Sequence, residues 1–248
     1  MRDRPAGPPL LAVADLHVAY GKAHVVHGVS FTVHPGEFVV LLGRNGAGKS
    51  TILHALAGLV PKKAGRVTFA DRDVSLASPT EIVRAGLVLV LEGHRVFTGL
   101  SVEDNLRLGA YARHAPDPAA SLDQAYADFP ELAEKRHQAA SRLSGGQQQM
   151  LAVAQGLMAD PRLLILDEPS GGLAPIIVDR ILAVAARLAE RGVAILLVEQ
   201  LVEKALKRAD YGYLLETGTI GGEGAADELG DSDLLARIYL GGSEPAAS

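Results

Sequence analysis

The chain runs to 248 residues, 48% of them apolar, with a formal net charge of −5. That is enough apolar material for one large α/β domain, alone or carrying an inserted subdomain. The acidic balance argues against a nucleic-acid partner, and the absence of cysteine excludes a disulfide framework, a thiolate metal site and a cysteine nucleophile.

Residues 1–9, rich in proline and charge, read as a flexible tail. Strands are predicted over 10–18, 25–33 and 37–42. The third runs into Gly43-Arg44-Asn45-Gly46-Ala47-Gly48-Lys49-Ser50, which fits the pattern G-x-x-x-x-G-K-[ST], and an apolar helix opens at Thr51. The glycines let successive backbone N–H groups turn toward one anion. The helix N-terminus adds a positive dipole end, Lys49 adds a full charge, and the Ser50 hydroxyl is left to reach Mg²⁺. A strand, such a loop and a helix, in that order, bind a nucleoside triphosphate.

Further strands are predicted near 66–70 and over 86–92. A mostly helical stretch begins at Ser101, where Ser101-Val102-Glu103-Asp104 has the form of a capping box. The next helix, 145–158, sets Met150, Ala154, Leu157 and Met158 on one apolar face and is stopped by Asp160-Pro161. A parallel crossover follows: strand 163–167, helix 175–190 with Pro175 at its start and Gly192 past its end, then strand 193–198. This alternation implies a parallel sheet flanked by helices, with a helical subdomain inserted at about 93–158. The longest apolar runs, 87–91 and 193–198, fall far below the roughly 20 residues that span a bilayer, and the N-terminus carries no signal-peptide core. The protein is therefore expected to stay where it is made.

Two further motifs carry chemistry. Asp167 and Glu168 close an apolar strand at the edge where ligands bind in open parallel sheets. Two acids at a strand end are often a solvated turn. Behind a phosphate loop in the same sheet they instead divide labour: Asp167 holds Mg²⁺, and Glu168 orients and deprotonates the water that attacks the γ-phosphate. Ser144-Gly145-Gly146-Gln147 opens the helix at 145, with Ser144 as N-cap and Gln147 at the capping-box position. A well-capped helix accounts for Ser144 and Gln147. Two adjacent glycines cost about 1 kcal/mol each against alanine, and close approach to an anion accounts for them. The histidines, including His17, His24, His27, His34 and His54, show no metal-ligand spacing.

In this order, with a helical subdomain between the first two, the motifs at 43–50, 143–147 and 163–168 resemble the ATP-binding subunit of an ABC transporter, over nearly the whole chain. The resemblance implies a P-loop α/β fold with a parallel core sheet and an N-terminal antiparallel β portion. It also implies one nucleotide-binding domain over 10–242, with tails at 1–9 and 243–248. In that family Ser144, Gly145, Gly146 and Gln147 bind the γ-phosphate of ATP held by the opposite subunit, so two cassettes close head to tail around two nucleotides. Tyr20 corresponds to the aromatic that stacks on adenine, although a strand tyrosine also serves as simple packing.

Several positions depart from the common pattern. Glu92 stands where the family usually has a glutamine that contacts Mg²⁺, Gln200 replaces the switch histidine, and Ala174 replaces an aspartate. Gln155 and His94 are smaller departures. The joint pattern of Glu92, Gln200 and Ala174, within Leu91 to Phe97, Val198-Glu199-Gln200 and Gly172 to Ile177 and with Tyr239-Leu240-Gly241-Gly242, resembles the cassettes of branched-chain amino acid importers. The resemblance then implies an ATPase with ATP and Mg²⁺ as cofactors, metal ligands Ser50, Glu92 and Asp167, and catalytic Lys49, Glu168 and Gln200. The implied partners are two integral-membrane permease subunits, a second ABC ATPase subunit and an extracytoplasmic solute-binding protein, with the chain on the cytoplasmic face of the membrane. Urea or other amide importers use similar cassettes. A soluble ABC ATPase would show paired cassettes or a long coiled-coil insertion, and a regulatory module would lack Glu168.

Overall fold

A computed structural model describes residues 4, 7–93, 95–111 and 117–230. His94, the 239–242 motif and the tail at 243–248 lie outside these residues. The chain opens with β1 (Leu11–Tyr20), β2 (Ala23–Val33) and β3 (Phe38–Gly43), followed by α1 (Lys49–Leu56). Next come β4 (Lys62–Phe69), β5 (Arg72–Asp73), α2 (Pro79–Ala85) and β6 (Leu87–Val90). Helices α3 (Val102–Tyr111), α4 (Pro118–Asp128), α5 (Pro130–Ala133) and α6 (Gly145–Leu157) then precede β7 (Leu163–Asp167), α7 (Pro175–Glu190) and β8 (Ala194–Glu199). The described chain closes with α8 (Val202–Leu206), β9 (Tyr211–Glu216), β10 (Thr219–Ala225) and α9 (Ala226–Gly230).

The described strands form two sheets. One is antiparallel, in the order β2-β1-β4-β5; the other runs β10-β9-β3-β8-β7-β6. In the second sheet β9, β3, β8, β7 and β6 are mutually parallel and only β10 is antiparallel, at one edge. Strand β3 is buried on both faces, which is why it reads as a continuous apolar run. Val39 and Leu41 pack toward α1 and the antiparallel sheet, while Phe38, Val40 and Leu42 pack toward α6 and α7. The parallel sheet is thus the middle layer between two cores.

Several expectations change. The strand sought near 66–70 begins at Lys62, and that over 86–92 ends at Val90, which leaves Glu92 in a loop. The β9–β10 hairpin and α2 carried no prediction. Within the stretch 93–158 the first helix among the described residues begins at Val102, and the helices that follow share one continuous core with β3, β7 and β8. At the α3–α6 crossing a Cβ on Gly109 would lie 2.1 Å from the Gln155 carbonyl oxygen, so only glycine permits that approach. Ser101 does cap α3, but the Asp104 carboxylate accepts from the Ser101 hydroxyl at 2.6 Å, leaving the reciprocal backbone bond of a full box unmade.

The tail expectation fails at Arg4. Its guanidinium donates to Glu37 Oε1 at 3.1 Å, to the Thr32 carbonyl at 2.7 Å and to the Tyr213 hydroxyl at 2.7 Å, and it lies 4.0 Å from the Tyr211 ring centre. Sequence composition marks this segment as polar; a buried carboxylate just before β3 and two aromatic rings on β9 give the charge somewhere to go.

Candidate functional site

The parallel strands β3, β8, β7 and β6 end side by side, at Gly43, Glu199, Asp167 and Val90. In open parallel sheets this edge faces the ligand crevice. An open cavity of about 400 Å³ lies there, lined by Val25, Asn45, Gly46, Gly48, Lys49, Ser50, Thr51, Glu92, Glu168 and Gln200. Residues from five separate stretches of the sequence thus meet at one place. A larger groove, about 950 Å³ between α7, α8 and α9, contains none of the motif residues.

The phosphate loop is held from beneath. Gly218 N–H, in the β9–β10 turn, donates to the Ala47 carbonyl at 2.9 Å, and Ala47 N–H donates to the Arg44 carbonyl at 3.1 Å. Gly48 caps α1 at φ 105°, in the left-handed region that disfavours any side chain. Gly43 has a different reason from the one read in the sequence: a Cβ there would lie 2.5 Å from the Leu215 carbonyl oxygen, so β9 demands glycine.

Lys49 is buried and its ammonium is fully engaged. It donates to the Gly43 carbonyl at 2.9 Å and to the Arg44 carbonyl at 3.2 Å, and pairs with Glu168 Oε1 at 3.2 Å. Glu168 holds φ 43°, uncommon for a residue with a side chain, while its N–H donates to the Val198 carbonyl at 2.9 Å. The turn therefore starts one residue beyond β7 and brings the carboxylate back over the phosphate loop. The Gln200 amide N–H donates to Glu168 Oε2. Glu168 is held between a cation and a neutral donor.

Ser50 Oγ donates to Asp167 Oδ1 at 3.1 Å. Burial pushes the Asp167 carboxyl above its ordinary range; the Ser50 bond pulls it down, and the Glu168 charge adds to the rise. A hydroxyl and a carboxylate in contact, with Glu92 lining the same cavity, form a hard-oxygen donor set that suits Mg²⁺. That ion is held by one or two carboxylates with water and substrate phosphate oxygens. Among the described residues no group of three or more His, Cys, Asp or Glu side chains is close enough to hold a metal alone.

Gly43, Arg44, Ala47 and Asp167 stand behind the cavity lining, and two predicted elements lie away from it. Tyr20 ends β1 and is 48% exposed. Ser144 to Gln147 begin α6, where Gln147 N–H donates to Ser144 Oγ at 3.3 Å and Ser144 N–H to Gln147 Oε1 at 3.1 Å. The capping box is formed as expected. Gly146, attributed above to anion approach, also answers to packing: a Cβ there would lie 3.0 Å from Ile177 Cγ1, where α6 meets the start of α7.

Glu199 carried no role in the sequence reading. It closes a strand of otherwise apolar buried residues, as Asp167 closes β7, and that shared signature was available. Val25, which also lines the cavity, gives no signal that distinguishes it from an ordinary strand residue.

Comparison with known proteins supplies a family. Residues 26–171 match the family model described as ABC transporter. The high-affinity branched-chain amino acid transport ATP-binding protein BraG of Pseudomonas aeruginosa is 40% identical over 233 residues, 94% of this chain and 100% of that protein. The probable branched-chain amino acid transport ATP-binding protein LivF of Archaeoglobus fulgidus is 33% identical over 236 residues, 94% of this chain and 99% of that protein. Among solved structures, the ADP conformation of MJ1267, an ATP-binding cassette of an ABC transporter, superposes with a TM-score of 0.82 at 25% identity, covering 95% of this chain and 100% of that one.

Proposed function

Since the chain belongs to the ABC transporter family of ATP-binding cassettes, we propose that it is the ATP-hydrolysing subunit of an importer for branched-chain amino acids. The observation that carries the hydrolytic part is the convergence of Lys49, Ser50, Glu168 and Gln200 on one cavity, with Asp167 bonded to Ser50 behind its wall. The solute is supported by two relatives named for branched-chain amino acid transport and matched over nearly their whole length.

In this reading the amides of 43–50 and the Lys49 ammonium grip the triphosphate, and Tyr20 meets the adenine. Ser50 and Asp167, with Glu92 nearby, hold Mg²⁺, which when bound neutralises charge on the transferring phosphoryl group. Glu168 takes the proton of the attacking water, and Gln200 orients Glu168 and offers its amide to the γ-phosphate. Ser144 to Gln147 of a second cassette, identical or not, complete the shell, so that closure of the pair is coupled to ATP. One nucleotide-binding domain spans 10–242 and carries the helical insertion.

No helix of the described residues is long and apolar enough to cross a membrane. In this reading, by analogy with importer cassettes, the partners are two permease subunits and an extracytoplasmic solute-binding protein, with this chain on the cytoplasmic face. A docking place is suggested by the cavity of about 250 Å³ between β6, α3 and α6, lined by Leu91, Arg95, Gly109 and Gln155 among others.

Lys49→Ala in the full-length chain is expected to lower ATP·Mg²⁺ hydrolysis at least about 100-fold, by removal of a preorganised charge at the transferring group. Unchanged steady-state hydrolysis overturns the ATPase assignment. In the assembled transporter, receptor loaded with leucine, isoleucine or valine should stimulate hydrolysis. Stimulation by urea alone overturns the solute.

A further inference from the structure

We propose that Glu199 is a positioning residue for hydrolysis, a carboxylate that clamps together the two strand-end turns carrying Glu168 and Gln200. The proposal rests on the ATPase reading given above.

Glu199 is only 1% exposed, although it is a carboxylate at the end of a strand. Its oxygens are used by groups on both sides of the site. Oε1 accepts from Ser170 N–H at 3.0 Å, and Oε2 accepts from the Ser170 hydroxyl at 2.7 Å and from Gln200 N–H at 3.1 Å. Leu201 N–H approaches Oε2 at 3.5 Å. Ser170 lies two residues past Glu168, and Gln200 is the next residue after Glu199. One side chain therefore joins the turn that follows β7 to the turn that follows β8.

Among the described residues the Gln200–Glu168 bond is the other side-chain link between the two turns. Glu168 N–H bonds the Val198 carbonyl, which fixes where β7 ends, and beyond that point the ladder between β7 and β8 stops. Glu168 then adopts φ 43°, a conformation that a residue with a Cβ keeps only when its surroundings impose it. The Glu199–Ser170 pair of bonds supplies that imposition from one side, and the Gln200–Glu168 bond closes the ring from the other. Hydrogen bonds to an ionised carboxylate are shorter and stronger than neutral ones, which suits a clamp.

The chemistry requires an acid at 199. Each of its contacts is a donor, two or three of them main-chain N–H groups that cannot rotate away. An amide has one acceptor oxygen and one NH₂ group. In Glu199→Gln one carboxylate oxygen becomes a donor facing another donor, at either Ser170 N–H or Gln200 N–H, and the turn on that side must move. The phosphate loop makes none of these bonds, so the grip of 43–50 on the triphosphate does not pass through the clamp, and nucleotide affinity should change far less than turnover.

The test compares wild type, Glu199→Gln, Ser170→Ala and the double variant in the full-length chain, measuring ATP affinity by fluorescent-nucleotide displacement and kcat separately. Glu199→Gln is expected to lower kcat by between about tenfold and 100-fold, the loss that a displacement of about 1 Å brings, with ATP affinity kept within about twofold. Ser170→Ala should lower kcat less, and the double variant should match Glu199→Gln, because both act through one contact. A kcat for Glu199→Gln within twofold of wild type, an equal loss of affinity and kcat, or additive effects in the double variant overturns the clamp. Should Glu199→Gln fail to fold, Ser170→Ala decides: a roughly threefold fall in kcat with affinity kept supports the clamp, and unchanged kcat removes it. A wild-type chain that neither binds nor hydrolyses ATP refutes the ATPase reading instead.

Discussion

Replacing Glu168 by glutamine should separate nucleotide binding from nucleotide turnover, and do so in opposite directions. The side chains are nearly isosteric, so the φ of 43° and the contact with Gln200 are not displaced by bulk. What changes is charge. Lys49 Nζ stands 3.2 Å from Glu168 Oε1, a gross attraction of about 5 kcal/mol at an effective dielectric of 20. That figure is a ceiling, since desolvation of both groups offsets much of it. An incoming phosphate competes with Glu168 for the same ammonium. If only about 1 kcal/mol of the competition is relieved, ATP affinity rises about fivefold. Turnover meanwhile loses its general base, a loss of about 100-fold to 10,000-fold. Single-turnover hydrolysis and isothermal titration with ATP·Mg²⁺ measure the two effects on one preparation, and light scattering should show a long-lived ATP-bound dimer. Weaker ATP binding in the variant, or a rate within tenfold of wild type, would refute the assignment of Glu168 as base and as the competitor for Lys49.

Two further outcomes concern stability. Asp128, at the end of α4, is 2% exposed and stands 3.7 Å from Arg187 and 3.3 Å from Arg191, at the far end of α7. Asp128→Ala should destabilise by about 2 kcal/mol, below the usual range for a broken buried pair, because both arginines are partly exposed and rehydrate. Thermal melting should then fall by about 4–8 °C, and a shift under 1 °C would show that the pair does not hold the helical lobe to α7. For Asp167 the folded-state pKa lies above the ordinary 3.8, chiefly through burial. The folded protein thus keeps this proton where the unfolded chain has lost it, and the group's favourable contribution is present below pH 3.8 and lost as pH rises through the folded pKa. Asp167→Asn should accordingly raise the nucleotide-free melting temperature at pH 7 but not near pH 3.5, and should abolish stabilisation by ATP·Mg²⁺. A variant that melts lower than wild type at pH 7 contradicts the burial account.

Much of the site was legible because its residues break the local pattern. Lys49 and Ser50 sit in a glycine-rich interruption between an apolar strand and an apolar helix, and Asp167 ends a run of four buried aliphatic residues. Periodicity and turn chemistry expose such breaks without any knowledge of the fold. The β9–β10 hairpin was missed for a related reason. Its turn residues Thr217 and Gly218 both have positive φ, at 45° and 79°, a turn for which Asn-Gly is the recognisable signal and Thr-Gly is not. Arg4 could not be placed by any local rule, since its partners Glu37 and Tyr213 lie 33 and 209 residues away. Gly146 was assigned to one cause where packing against Ile177 supplies another, because sequence spacing does not say which helix will lie across α6.

The departures from the common cassette pattern take on a different meaning once their neighbours are known. Read singly, glutamine at 200 is a lost histidine. In the folded chain its amide donates to Glu168, its own N–H is held by Glu199, and Glu199 reaches across to Ser170. A histidine able to carry charge would add a second cation beside Glu168, where Lys49 already stands at 3.2 Å, and two cations on one carboxylate would hold it more firmly as a bare anion and weaken it as a base. A neutral amide orients the carboxylate without that effect. Removal of charge at 200 and burial of a carboxylate at 199 are therefore parts of one arrangement, in which a donor that does not titrate is fixed in place by an acceptor hidden from solvent.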